Sequence, residues 1–197
     1  MKKTTIAVVA LTVGTLFVIP VLAQNTADVV QRDVNQQQRI ENGLQSGQLD
    51  TEEAAKLEKG EANIDKMEQR ALSDGKMTNA EKQRIDAAQN KESQAIARAK
   101  SNGVTGDPSS ASSQRMQADV QRNVNQEARV EQGIKSGQLT NREVGNLEHG
   151  QAHVDNKEAK AGANGHVSAN EQHNIQAAEN HQSKRIYNKK HNDHVRQ

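Results

Sequence analysis

The chain has 197 residues, with 26 Lys and Arg against 25 Asp and Glu, a formal net charge of +1, no Cys and two Pro. A nearly neutral chain lacks the basic field that nucleic-acid binding needs, and without Cys there is no disulfide or thiolate chemistry. Pro occurs only at Pro20 and Pro108, so long uninterrupted helices are open to everything between.

The chain opens like an export signal. Lys2 and Lys3 precede an apolar run from Ile6 to Ile19, and Val21-Leu22-Ala23 offers a small-residue cleavage site. About 14 apolar residues are too few to span a bilayer, which takes roughly 20. Residues 1–23 are therefore expected to be a cleaved signal peptide, leaving no transmembrane segment and a periplasmic or secreted protein. Leu, Ile, Val and Phe supply only 24 of the 174 residues that follow. So few apolar side chains make a thin core, one open to completion by self-association or a partner.

Beyond the leader the chain is a tandem duplication. Arg39-Ile40-Glu41-Asn42-Gly43-Leu44-Gln45-Ser46-Gly47-Gln48-Leu49 returns ninety positions later as Arg129 to Leu139, and 31 of 73 positions match between 30–102 and 120–192. Four places share a Gly, an apolar residue two positions on, then Asp, Thr or Ser, then Glu: Gly47 to Glu53, Gly75 to Glu81, Gly137 to Glu143 and Gly165 to Glu171. The Gly suits a left-handed helix end, and the polar residue with Glu three further is a capping box that starts the next helix.

These stops and starts predict helices at 28–45, 51–73 and 79–101 in the first copy, and at 117–135, 141–162 and 169–191 in the second. Connections of about three residues favour antiparallel neighbours. The expected architecture is all-α: a helical repeat over 24–101, a Gly/Ser/Pro linker over 102–115, and a His-rich helical repeat over 116–197. Each repeat is expected to be an antiparallel three-helix unit, with a flexible linker leaving their mutual orientation loose. Ala54, Leu57, Ile64 and Ala71 form one stripe of the middle helix with Gly60 at its edge. Gln37, Glu41 and Glu92 interrupt the stripes of the other two.

Histidine supplies the leading metal candidates. All seven lie in the second copy. His149 and His153, four apart on one helix, could share a zinc, nickel or copper ion, and His191 and His194 form a looser pair. Lys184, Arg185, Lys189 and Lys190 make a basic end that suits a helix C-terminus. No Gly-rich phosphate loop, nucleophile elbow or His-Glu-x-x-His is present, so no enzyme is expected.

Two resemblances carry further expectations. Asp74-Gly75-Lys76-Met77-Thr78-Asn79-Ala80-Glu81 resembles the second half of a calcium-binding EF-hand loop, which would make Asp74, Thr78 and Glu81 calcium candidates. The first half departs from the pattern, since Arg70 and Leu72 stand where ligands belong. The units Arg39 to Glu53, Leu57-Glu58, Asp74 to Glu81 and Gln89 to Ile96, with their second copies, resemble a group of short, uncharacterised exported bacterial helical proteins. That resemblance implies export and a helical unit, with no cofactor or site to carry over. The leading expectation is a non-enzymatic interaction module with an envelope or extracellular partner. The alternatives are binding or buffering of divalent metal and a chaperone-like stress protein.

Overall fold

The computed structural model describes residues 21–194, so most of the expected signal peptide lies outside the described residues. Within them the protein is all-α, with helices α1 (Val21–Gln45), α2 (Thr51–Ala71), α3 (Asn79–Ala99), α4 (Ala111–Lys135), α5 (Asn141–Ala161) and α6 (Ala169–Lys190). A single 3-10 turn, Gly162–Asn164, follows α5.

The turn chemistry works as the residue pattern requires. Gly47, Gly75, Gly137 and Gly165 hold φ between +72° and +89°, the left-handed region open to glycine without strain. At each following start the capping box is closed in both directions, by Asp50 with Glu53, Thr78 with Glu81, Thr140 with Glu143 and Ser168 with Glu171. Two amide donors that a helix start would leave orphaned are satisfied at each one.

The helices from the two copies do not form separate units. α2 lies antiparallel against α5, and α1 antiparallel against α4, where Lys135 at the end of α4 donates to Gln31 in the first half of α1 at 3.4 Å. Gly145 near the start of α5 abuts Leu72 at the end of α2, and Gly162 past the end of α5 abuts Ala55 near the start of α2. A β-carbon at either glycine would collide with its neighbour, so the close approach depends on their absence. α3 and α6 pack outside, α3 on α1 and α2, α6 on α4 and α5. The expected pair of loosely oriented three-helix units is replaced by one bundle in which each copy buries its stripe against the other. An apolar stripe too thin to make two cores suffices for one.

The connector is firmer than its Gly/Ser/Pro composition predicts. Ser110 caps α4, which therefore begins six residues earlier than expected. Ser112 is buried, its hydroxyl 3.3 Å from that of Thr51 and accepting from the Val167 amide at 2.8 Å. The Gly106 amide donates to the Gly47 carbonyl at 2.9 Å. Serine is a tertiary hydrogen-bonding residue here, a use that composition does not reveal.

Two apolar clusters occupy opposite ends of the bundle, and both copies contribute to each. One joins Val30, Ile64 and Leu72 to Val130, Ile134 and Leu147. The other joins Ile40, Leu44 and Leu57 to Val120, Val154 and Ile175. Between them lies a polar middle.

Two outcomes check this architecture. Residues 24–101 alone, at concentrations where they stay monomeric, are expected to lack a cooperative melt by circular dichroism, since the faces of α1 and α2 that meet α4 and α5 would lie in water; a cooperative melt of the monomer would restore the two-unit picture. Thr78→Ala removes one cap at an exposed start and is expected to lower stability by about 1 kcal/mol in a denaturant titration.

Candidate metal centre: a buried carboxylate layer

The polar middle is built from a spacing shared by α2 and α5. Glu58, Asp65 and Glu68 are repeated as Glu148, Asp155 and Glu158, at intervals of seven and three. On a helix those intervals put all three side chains on one face. In α2 that is nearly the face carrying Leu57 and Ile64, so packing the apolar stripe carries the acids inside with it. Glu61 joins them from α2, Asp33 from α1 and Glu127 from α4. These nine carboxylates are each 2% exposed or less.

They lack the partners that usually accompany buried charge. Among the described residues no Lys, Arg or His forms an ion pair with any of the nine. Both carboxylate oxygens of Glu61 and of Glu148 meet no hydrogen-bond donor. What donors there are come from amides: Gln37 Nε2 reaches Glu58 Oε2 at 3.0 Å, and Asn123 Nδ2 reaches Glu158 Oε2 at 2.8 Å and Asp155 Oδ1 at 3.3 Å. Gln89 on α3 donates to Asp33 Oδ1 at 2.7 Å. The remaining close pairs, Glu58 with Glu158, Asp33 with Glu68 and Asp65 with Asp155, are carboxyl against carboxyl, hydrogen-bonded only when a proton lies between them.

Burial is the main cause of the shifted acidities that follow. It pushes Asp33 and Asp155 up to about 7, although hydrogen bonds from Gln89 and Gln151 respectively hold them back. Glu58, Glu61, Asp65, Glu68, Glu127, Glu148 and Glu158 are raised well above the usual carboxylate range, first by burial and then by one another's charge. The effective penalty for burying one uncompensated ion is several kcal/mol, and a domain's whole stability is roughly 5–15 kcal/mol. Nine bare carboxylates would exceed that margin, so this layer holds either protons or cations.

One set already has ligand geometry. Oxygens of Glu58, Asp155 and Glu158 lie within 4.8 Å of one another, and no other group of three or more acidic or histidine side chains among the described residues converges so closely. Gly60 and Glu92 belong to the same region. A β-carbon at Gly60 would strike the Glu92 carboxylate, which reaches in from α3 and is pushed up to about 7 by burial. The interrupting Glu92 of the third helix thus fits a gap that the glycine of the second leaves. On the other side, Glu179 of α6 is pushed up to about 8 by burial and pairs with Arg122 at 3.2 Å.

The residues singled out from sequence lie elsewhere. His149 and His153 are exposed on α5 and share an open groove with His181 of α6, Lys66, Lys157 and Arg185. These three histidines do not bring ring nitrogens within 4.8 Å of one another as the three carboxylates do their oxygens. His191 stacks on Tyr187 with ring centroids 4.2 Å apart, while His194 points to Glu143 at 3.8 Å, so that pair is directed to different partners. Asp74 accepts from the Lys76 amide at 2.8 Å, and Thr78 and Glu81 are engaged in their capping box, which accounts for the half-loop without an ion. No family model, curated protein or solved structure matches the chain.

The raised pKa values fix the sign of a pH effect. Folded carboxyls hold protons that the unfolded chain, with carboxylates near pH 4, has already lost. Stability of the metal-free protein therefore falls as pH rises above about 4, through the value near 7 for Asp33 and Asp155 and through the raised range of the others. Thermal melts of chelator-treated protein are expected to show a lower Tm at pH 8 than at pH 5. A Tm that rises over this interval would contradict the buried layer.

Proposed function

We propose that the protein binds hard, oxygen-preferring cations, of the calcium and manganese type, within its carboxylate layer, and that it acts as an exported cation-binding or buffering protein. One observation carries this reading: nine side chains able to bind metal are buried in the bundle centre, without basic partners, where three of them bring oxygens together. An all-oxygen, carboxylate-rich donor set favours calcium, magnesium and manganese over the softer zinc and copper. Binding a cation displaces the protons that neutralise the layer, so affinity rises with pH. The export signal expected over residues 1–23 would place the protein in the periplasm or outside the cell.

Metal binding through His149 and His153 is a weaker reading, because those rings are exposed and face an open groove lined also by Lys and Arg. The inner faces of the two copies are turned on one another, so an interaction module would present the polar outer faces of α3 and α6.

Chelator-treated protein should gain thermal stability from calcium or manganese, by roughly 2.7 kcal/mol at a hundred times the dissociation constant. Glu58→Gln and Glu148→Gln together should leave the metal-free fold as stable or more so, because neutral amides relieve buried charge, while weakening the cation-induced shift at least tenfold in concentration. His153→Ala should leave that shift where it is. Melts indifferent to calcium, manganese and magnesium at pH 7.5 would overturn the proposal.

A further inference from the structure

The internal repeat divides the layer into two halves that differ in charge. With ninety positions between equivalents, Glu58, Asp65 and Glu68 correspond to Glu148, Asp155 and Glu158, while Gln37 corresponds to Glu127 and Asp33 to Asn123. The contacts respect this correspondence. Gln37 bonds Glu58 as Glu127 neighbours Glu148, and Asn123 bonds Glu158 as Asp33 pairs with Glu68.

We infer that the layer holds two cations in adjacent sites related by the repeat, and that the more acidic site takes its ion first. The inference rests on the cation-binding reading above and adds the number, placement and order of the ions. One site comprises Glu58, Asp155 and Glu158 with the amides Gln37 and Asn123, three negative charges in all. The other comprises Asp65, Glu68 and Glu148 with Asp33 and Glu127, five negative charges; Glu61, matched by Gln151, is the one carboxylate of the layer outside these paired sets. Each draws on α1, α2, α4 and α5.

Buried oxygens without a donor identify what each half can offer a ligand. In the first, Glu58 Oε1, Glu158 Oε1, Asp155 Oδ2, Gln37 Oε1 and Asn123 Oδ1 are all in that state. Gln37 and Asn123 turn their N–H groups to neighbouring carboxylates and leave their carbonyl oxygens unsatisfied, as ligands to a cation would. In the second, Asp33 Oδ2, Asp65 Oδ2, Glu127 Oε2 and both oxygens of Glu68 and Glu148 are without a donor. Five oxygens in one and seven in the other approach or reach the six to eight that calcium takes, with water completing the shell.

The same amides account for the difference in shape. Their N–H groups draw the first set of carboxylates to within 4.8 Å. The second set has carboxyls in both places and lacks that internal donor, so a cation has more repulsion to relieve there. Asp65 and Asp155 face one another across the boundary and make the sites immediate neighbours. Ligand charge is a main determinant of calcium affinity, so two extra carboxylates in the second site separate the two affinities by roughly tenfold or more.

Titration of the chelator-treated protein with manganese at pH 7.5 tests this, counting bound ions by calorimetry and by the paramagnetic resonance of free manganese. Two ions in two resolved steps are expected, with spin coupling between the bound pair at saturation. Asp33→Asn with Glu127→Gln gives the second site the donor set of the first, and should merge the steps into one while keeping two ions; a circular-dichroism melt confirms that the variant folds. One ion per chain, or two without spin coupling, would overturn the inference and leave cation binding standing. No bound manganese, calcium or magnesium would overturn the cation-binding reading itself.

Discussion

Burying a carboxylate away from water requires something to neutralise it, and the rest of this structure is arranged around that requirement. Nine acids occupy the bundle centre with few donors and no basic partners. Desolvation raises their pKa values above the ordinary carboxylate range, so the layer is neutralised by protons or by metal. A polar layer of this kind stabilises a fold poorly on its own. The two apolar clusters at the ends of the bundle supply the hydrophobic stabilisation, and the layer between them supplies the chemistry.

The outer helices support that division. Gln89 on α3 orients Asp33, Gln182 on α6 donates to the Leu147 carbonyl at 2.8 Å, and Gln126 and Gln36 reach outward to carbonyls of α6 and α3. α3 and α6 thereby fix the backbone and side chains of the inner helices and close the centre to solvent. Their own surfaces stay polar, with Ile85 and Ile96 or Ile175 and Ile186 as the few apolar anchors of each.

Local rules were legible in the residues, while the meeting of surfaces was not. The capping boxes and left-handed glycines located α2, α3, α5 and α6 to within a residue or two, because a cap is a contact between positions three apart. The bundle required knowing that α2 faces α5, and no local pattern states that. Gln37, Glu41 and Glu92 read as flaws in apolar stripes because a stripe was assumed to seek only oil. A signal was nonetheless available: Glu58, Glu61, Asp65 and Glu68 recur at helical spacing beside Leu57 and Ile64, and three of the four return in the second copy. Histidine drew attention by its chemistry, although all seven are exposed and only His149, His153 and His181 share a groove. The serines around the start of α4 were misread for a related reason, since the Ser112 hydroxyl serves contacts far away in sequence.

Because both copies supply each half of the core, one copy could complete it only by pairing with an identical chain. Such a pair would have two-fold symmetry, and its two halves would be the same by necessity. Any change to one position would then appear twice. Joining the copies through residues 102–110 lifts that constraint. Asp33 could differ from Asn123, and Gln37 from Glu127, without a matching change opposite. Covalent fusion of this kind turns one repeated environment into two that can be tuned separately, which no assembly of identical subunits with closed symmetry can do.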